Sequence, residues 1–361
     1  MSDFDFSRRL FLSGAAAAAP ALAVMSDRIA EFLPPPERVR MVSANSSFVV
    51  PPPTYSEAEV KQIVSQGKNV EFIIPKNGDE LAKVLPDVNV VVGSINAEML
   101  AKAKNLKWMQ ATEAGMERIL FPELIQSDVV VTNMARMFAP AISETAIAML
   151  LAHTRGLNNI YIPNFQKRVY KPMRDLVEVD GMTMGIVGLG GIGSFTAMRA
   201  HYGFNMKILA VDIQPLVKPI FVDTLREPGW LMEMVPQVDI LVNACPSTKV
   251  SNGMFNDQVF RAMKKTAYFI SLSRGALVDE PALISALKEQ RIAGACLDVV
   301  AHEPLPANDP LWDCPNLILT DHTSGYAPQR RIRLMGMITE NVRRFSNGLP
   351  LMNVVDKVRG Y

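Results

Sequence analysis

Three stretches of the sequence each bring a charged or imidazole side chain just past an apolar run. They are SLSRGALVDE (Ser271–Glu280), LDVVAHEPLP (Leu297–Pro306) and TDHTSGYAP (Thr320–Pro328), and their reactive members are Arg274, Glu303 and His322. An imidazole gives or takes a proton near neutral pH. A carboxylate beside it orients the ring and stabilises the imidazolium, which suits Glu303 to His322. A guanidinium grips a carboxylate through two parallel hydrogen bonds and polarises a neighbouring carbonyl, a role open to Arg274. Together these groups fit the reduction of a 2-oxo acid, in which a proton reaches the carbonyl oxygen while a hydride reaches the carbon. In the oxidative direction His322 would accept the hydroxyl proton. Taken singly, such residues more often sit in salt bridges or on the surface. His153 and His201 are read that way, and His302 as a neighbour of Glu303.

A hydride needs a carrier, and GLGGIG (Gly188–Gly193) supplies a place for one. Gly188, Gly190, Gly191, Ile192 and Gly193 follow the strand-like run Met184–Val187 and open a helical pattern with Phe195, Met198 and Ala200. In that context the first glycine permits a tight turn, the second lets a pyrophosphate approach the backbone, and the third lets the helix pack closely on the strand. The helix start offers free amides and a positive dipole end to the phosphates. Asp212 ends the next strand at the spacing of a ribose-binding carboxylate. Its charge accepts a 2′-hydroxyl and repels a 2′-phosphate, and Ile213, Gln214 and Pro215 follow with no arginine, so NAD is favoured over NADP. Cys245 and Pro246, after the run Ile240–Val242, together with Arg274 and His322, are further candidate cofactor contacts.

The ordered motifs resemble the D-2-hydroxyacid dehydrogenase family, over roughly Val90 to Pro350. The resemblance matches the family's arginine to Arg274, its glutamate to Glu303 and its histidine to His322, and implies that Asp298 holds the nicotinamide carboxamide. It implies that the substrate carboxylate rests on backbone amides around Ala114 and Gly115, in a cleft between two domains that closes over it. It also implies a homodimer, with the long helix Ile142–Thr154 near the interface, and a small 2-oxo acid such as glyoxylate, hydroxypyruvate or pyruvate as substrate. Two departures stand out. Glu113 places a negative charge where an anion is to bind, a conflict relieved if its side chain points outward or if Arg136 compensates. Asp321 precedes His322 where the family commonly has proline, altering the backbone or adding charge near the imidazole. Tyr326 is a candidate for closing the pocket. Two rival readings are formate oxidation, which needs no hydroxyl proton abstracted, and a nucleotide-sensing protein without turnover.

These groups need a scaffold that gathers strand ends. Apolar runs at Val88–Val92, Leu106–Met109 and Val129–Thr132 alternate with helical patterns, and a second series runs through Met184–Val187, Ile208–Val211, Ile240–Val242, Ala267–Ile270, Ala295–Leu297 and Leu317–Leu319. Such alternation predicts α/β architecture with two doubly wound parallel-sheet domains: a Rossmann-type cofactor domain and a flavodoxin-like substrate domain. The expected divisions are a signal peptide at 1–23, a linker at 24–40, the substrate domain at 41–139 completed by 324–361, and the dinucleotide domain at 140–323.

The 361 residues suffice for two domains, and a net charge of +1 without charged blocks gives no sign of a nucleic-acid surface. Cys245, Cys296 and Cys314 are scattered, which disfavours both a disulfide framework and a metal site. The N-terminus is different in kind. SRRLFLSGAAAAAPALA (Ser7–Ala23) has a basic start, a short apolar core and an A-x-A ending. It reads as a signal peptide and resembles a twin-arginine signal, which implies export of a folded protein to the periplasm by that machinery. Slow release would let such a protein carry its cofactor across and cycle it between two acids; the alternative is a cytoplasmic enzyme.

Overall fold

A strand covered by helices on both faces has no reason to alternate polar and apolar residues. The central strands of this chain do not alternate: Val90, Val91 and Val92 are all buried, as are Met184, Ile186 and Val187. The computed structural model describes residues 33–44, 54–170 and 176–361. The export-like stretch Ser7–Ala23 and most of the expected linker lie outside the described residues.

The first sheet consists of β1 (Val39–Ala44), β2 (Val70–Ile73), β3 (Val90–Gly93), β4 (Trp108–Gln110) and β5 (Val130–Thr132). Its order is β2-β1-β3-β4-β5, the flavodoxin-like arrangement. The second consists of β6 (Thr183–Val187), β7 (Lys207–Val211), β8 (Thr224–Arg226), β9 (Ile240–Asn243), β10 (Tyr268–Ser271), β11 (Gly294–Leu297) and β12 (Leu317–Leu319). Its order, β12-β11-β10-β9-β6-β7-β8, reverses direction at β6, the Rossmann switch point. Every pair of neighbouring strands is parallel. β1 opens at Val39, inside the segment read as linker, because Val39 pairs with Val70 and is buried.

Period-two geometry divides each sheet's apolar residues between two layers. On the second sheet Leu209, Val211, Leu241 and Phe269 face one core, while Ile208, Ala210, Ile240 and Val242 face the other. Four helices matter for the site: α1 (Glu57–Val64), α2 (Ala139–Thr154), α3 (Gly191–Phe204) and α4 (Gln329–Ser346). α2 starts three residues earlier than the sequence suggests. Pro140 lies in its first turn, where a missing N–H costs nothing. Ala146, Met149 and Leu150 of α2 pack with Ala197 and Ala200 of α3 under the second sheet, so the apolar side of α2 faces inward. Exposed apolar surface follows it instead, at Leu157, Ile162, Phe165 and Tyr170.

α4 is polar overall, yet Leu334, Ile338, Val342 and Phe345 recur along one face and enter the core of the first sheet. Trp108 and Phe345 pack there as a tilted pair with ring centroids 5.4 Å apart, a contact worth about 0.5–1.5 kcal/mol beyond area burial. The chain then pairs Thr132 with Val354 and ends near the second domain, where the Gln214 amide donates to the Tyr361 hydroxyl at 3.2 Å. Among the described residues no helix is long and apolar enough to cross a membrane.

Candidate active site

Both sheets turn the carboxyl ends of their strands toward a common cleft, and the loops there carry the candidate residues. β6 leads into the glycine turn. Gly188 has φ +90°, and a Cβ on it would lie 2.6 Å from the Cys245 Cα, so only glycine fits between the turn and the loop after β9. A Cβ on Gly193 would lie 2.0 Å from the Gly188 carbonyl oxygen, which fixes how closely α3 approaches β6. The first-turn amides of α3, from Gly191 and Ile192 onward, have no intrahelical acceptors and face the end of the strand. Asp212 closes this cradle: its Oδ2 accepts the Leu189 N–H at 2.7 Å and its Oδ1 the Gln214 N–H at 2.8 Å. The residues thus fit a dinucleotide: a Cβ on Gly190 would meet nothing within 4 Å, and a carboxylate is held at the end of the next strand.

Cys245 backs the turn without offering chemistry. Burial pushes its thiol up to about 12, and its sulfur lies 3.7 Å from that of Met254. The carbonyl of Pro246 accepts the Ser251 hydroxyl at 2.7 Å, which folds the loop after β9. Beneath it, buried Asn243 donates to the Ser271 hydroxyl (3.0 Å) and accepts from that of Ser273 (3.3 Å), tying the ends of β9 and β10 together beside Arg274.

The histidine and glutamate expected to pair do so. His322 Nδ1 lies 2.8 Å from Glu303 Oε2, and Glu303 Oε1 accepts the Val300 N–H at 3.2 Å. A carboxylate only accepts, so Nδ1 carries the hydrogen and Nε2 is left for substrate. The His322 side chain is 44% exposed, and Nε2 has no partner among the described residues. His322 also has φ +57°, a backbone state that non-glycine residues rarely adopt. Asp298 holds it there. The buried carboxylate's Oδ1 accepts the Thr320 hydroxyl at 2.7 Å and the N–H groups of Thr323 and Ser324 at 3.2 Å, and its Oδ2 takes the Ser324 hydroxyl. The Asp298 carbonyl accepts the His322 N–H at 2.9 Å. Asp298 therefore shapes the histidine loop, a role that the residue type alone does not announce. Asp321 turns away to accept the Thr323 hydroxyl at 2.7 Å, a bond that holds its carboxyl below the usual range.

Arg274 sits across the cleft against the first domain. Its Nη1 donates to the Ser273 carbonyl at 2.7 Å, and its Nε pairs with Glu117, two residues beyond Gly115. Burial alone would push the Glu117 carboxyl up, but the Arg274 guanidinium outweighs it and holds that carboxyl below the usual range. The amides of Ala114 and Gly115 have no acceptor among the described residues, while the Ala114 carbonyl accepts from Asn133 at 2.8 Å. This is the arrangement an anion needs: two N–H groups beside a guanidinium. Gly275 joins the arginine and glutamate loops, since a Cβ on it would lie 2.0 Å from the Val300 carbonyl carbon.

Glu113 does not point outward. Its Oε1 is buried without a partner among the described residues, and its Oε2 accepts the Thr112 hydroxyl at 3.3 Å. Tyr326 is exposed, with the Arg330 guanidinium 5.2 Å from its ring centroid. His153 is buried, with Nε2 3.0 Å from the Ala295 carbonyl, and His201 Nδ1 lies 3.2 Å from that of Met206. Both histidines are structural. Among the described residues no group of His, Cys, Asp and Glu gathers as a metal site.

The crowding at Gly115 yields a test. A Cβ there would lie 1.9 Å from Arg274 Nη2 and 2.6 Å from Glu117 Oε2, both ends of movable side chains. Gly115→Ala should displace the guanidinium without unfolding the protein. We expect kcat/KM to fall about 100-fold, as for a misplacement near 1 Å, with an unchanged thermal midpoint; steady-state kinetics and a melting curve check both.

Comparisons with known proteins give the family and the fold. Residues 147–324 match the model of the D-isomer specific 2-hydroxyacid dehydrogenase NAD-binding domain. The chain is 33% identical to a glyoxylate reductase of Thermofilum pendens over 276 residues, covering 74% of this chain and 81% of that one. It is 30% identical to a glyoxylate reductase of Pyrococcus horikoshii, covering 82% and 93%. Among solved structures, a D-isomer specific 2-hydroxyacid dehydrogenase family protein of Aeromonas salmonicida superposes with a TM-score of 0.74 at 26% identity, covering 89% of this chain and 100% of that one. An NADPH-dependent glyoxylate/hydroxypyruvate reductase of Sinorhizobium meliloti, in complex with NADP and sulfate, superposes at 0.75 and 24% identity, covering 90% and 100%.

Proposed function

Because the chain belongs to the D-isomer specific 2-hydroxyacid dehydrogenases, we propose that it interconverts a small 2-oxo acid and its 2-hydroxy acid with NAD(H), through His322, Glu303 and Arg274. The observation that carries this reading is the 2.8 Å pairing of His322 Nδ1 with Glu303, which leaves Nε2 as the acid. Glyoxylate, hydroxypyruvate and pyruvate are the proposed substrate class.

The substrate carboxylate rests on the amides of Ala114 and Gly115 and on Arg274, which orients the 2-oxo group toward His322. When bound, the reduced nicotinamide supplies the hydride. His322 gives its Nε2 proton to the carbonyl oxygen, and Glu303 holds the ring and stabilises the imidazolium in the reverse reaction. Glu303 marks hydroxyacid chemistry rather than formate oxidation, since formate offers no hydroxyl proton to that pair. Among the described residues Asp298 Oδ2 accepts one bond, so it retains acceptor capacity for the nicotinamide carboxamide.

Asp212 supports NAD. Its carboxylate is fixed at the ribose end, and the nearest following lysine, Lys218, is committed to the Val222 carbonyl at 2.6 Å. The NADPH dependence of the Sinorhizobium meliloti reductase belongs to a protein that shares only the fold at this identity. The export-like N-terminus extends the proposal to the periplasm.

One assay tests both parts. Periplasmic and cytoplasmic fractions are supplied with glyoxylate, hydroxypyruvate and pyruvate against NADH and NADPH, and with formate against NAD. Oxo-acid reduction by NADH in the periplasmic fraction is expected. Formate oxidation without oxo-acid reduction overturns the reaction, preference for NADPH overturns the cofactor, and activity confined to the cytoplasm overturns the location.

A further inference from the structure

Arg136 is an odd residue for its position. It lies in the loop between β5 and α2, at the carboxyl end of the first sheet, and has φ +70°. An arginine gains nothing locally from that left-handed backbone, where glycine or asparagine would be at ease. The conformation is imposed from both sides. The Asn353 side chain donates to the carbonyl of Asn133 (3.3 Å) and to that of Ala135 (3.0 Å). Asn133 Oδ1 accepts the Ala135 N–H (3.0 Å), and Arg333 Nε donates to the Met137 carbonyl (2.7 Å). Strain maintained so thoroughly calls for a use.

The loop holds Arg136 against Gly191, the first residue of α3. A Cβ on Gly191 would lie 2.9 Å from the Arg136 Cγ and 3.0 Å from its Cα. The arginine stem therefore fills the space that a side chain at 191 would need, and it comes from the other domain. Yet Arg136 is exposed and has no carboxylate partner among the described residues, whereas Arg331, Arg343 and Arg344 all have theirs. The stem of an arginine without an ion-pair partner among the described residues has been brought across the cleft to the glycine turn.

We propose that Arg136 binds the diphosphate of the dinucleotide, clamping it from the first domain while the α3 amides hold it from the second. The inference rests on the dinucleotide-binding reading of the glycine turn. Under it, Gly191 is glycine to admit an arginine as well as a phosphate, and cofactor binding ties the two domains together before the acid enters. A charge-assisted contact to phosphate also explains why the strained position carries arginine rather than asparagine.

Arg136→Gly tests this, because glycine accepts the backbone and removes only the side chain. NADH is titrated by its fluorescence, and ADP-ribose and adenosine compete with it, so the readout is affinity rather than turnover. For Arg136→Gly the dissociation constants of NADH and ADP-ribose should rise about tenfold or more, while that of adenosine stays unchanged. The thermal midpoint should hold or increase, and Arg136→Lys should recover part of the affinity. Wild-type affinity for ADP-ribose in Arg136→Gly overturns the proposal, as does an equal loss for adenosine, which would mean shape rather than charge. Failure of the wild-type protein to bind any dinucleotide would instead overturn the reading of the turn itself.

Discussion

His322→Asn should lower kcat about 10²–10⁴-fold, the usual contribution of a positioned general acid, while leaving nucleotide affinity and the thermal midpoint in place. Asparagine is the informative substitution because His322 has φ +57°, which asparagine tolerates better than alanine. The Asp298 network that fixes the loop uses the backbone of residues 322, 323 and 324 and the hydroxyls of Thr320 and Ser324, so it survives the change. The lost function is then proton delivery alone. Loss restricted to kcat, with KM unchanged, is the pattern of a group that acts in the transition state. Glu303→Gln should behave as a milder version, since the amide keeps a contact to Nδ1 but not the charge opposite the imidazolium. Full turnover in His322→Asn would remove the imidazole from the mechanism, leaving the 2.8 Å pair as a structural contact.

What sequence makes legible here follows from how far each feature depends on distant residues. The buried parallel strands are legible because solvent touches neither face. Val90-Val91-Val92 and Ile240-Leu241-Val242 have no polar alternation to confuse with a loop. The edge strands β2 (VEFI) and β8 (TLR) do not stand out, because an edge faces water and carries charge. The glycine turn is legible because each glycine answers a local steric demand, and the histidine–glutamate pair because both follow strand ends. Glu117 is different. Its partner Arg274 lies 157 residues away, and one glutamate after a glycine has many ordinary explanations. Glu113 misleads for the same reason: burial of its Oε1 is set by packing, which no pattern along the chain encodes. The left-handed backbones of Arg136 and His322 are equally silent, since nothing in an arginine or a histidine signals them.

Arg274→Ala should lower kcat/KM about 10²–10³-fold, and more of that loss than in His322→Asn should appear in KM. Truncating one member of a hydrogen-bonded charge pair costs roughly 2–5 kcal/mol, at 1.36 kcal/mol per tenfold in rate. Two effects compound. The substrate carboxylate loses a planar partner, which Arg274→Lys restores only in charge, so lysine should recover a minor part of the activity. The second effect falls on Glu117. With Arg274 present its carboxyl is depressed, so the pair's stabilisation is complete above the usual carboxylate range and is lost as pH falls through the lowered value. Without Arg274 burial is opposed only by the Glu117 N–H and the charge of Arg118, so the carboxyl rises from its depressed value, and an anion without its main partner stands next to the amides of Ala114 and Gly115. It then repels the substrate carboxylate until it is protonated. The activity of Arg274→Ala should accordingly improve as pH is lowered into the carboxylate range, relative to the wild-type protein measured alongside. Glu117→Gln added to Arg274→Ala should recover part of the KM and abolish that relative improvement. Because Glu117 stays partly open to solvent, the accompanying change in thermal midpoint should be small. An Arg274→Ala profile parallel to wild type at every pH, with no rescue by Glu117→Gln, would confine Glu117 to holding the arginine and assign the whole loss to the missing guanidinium.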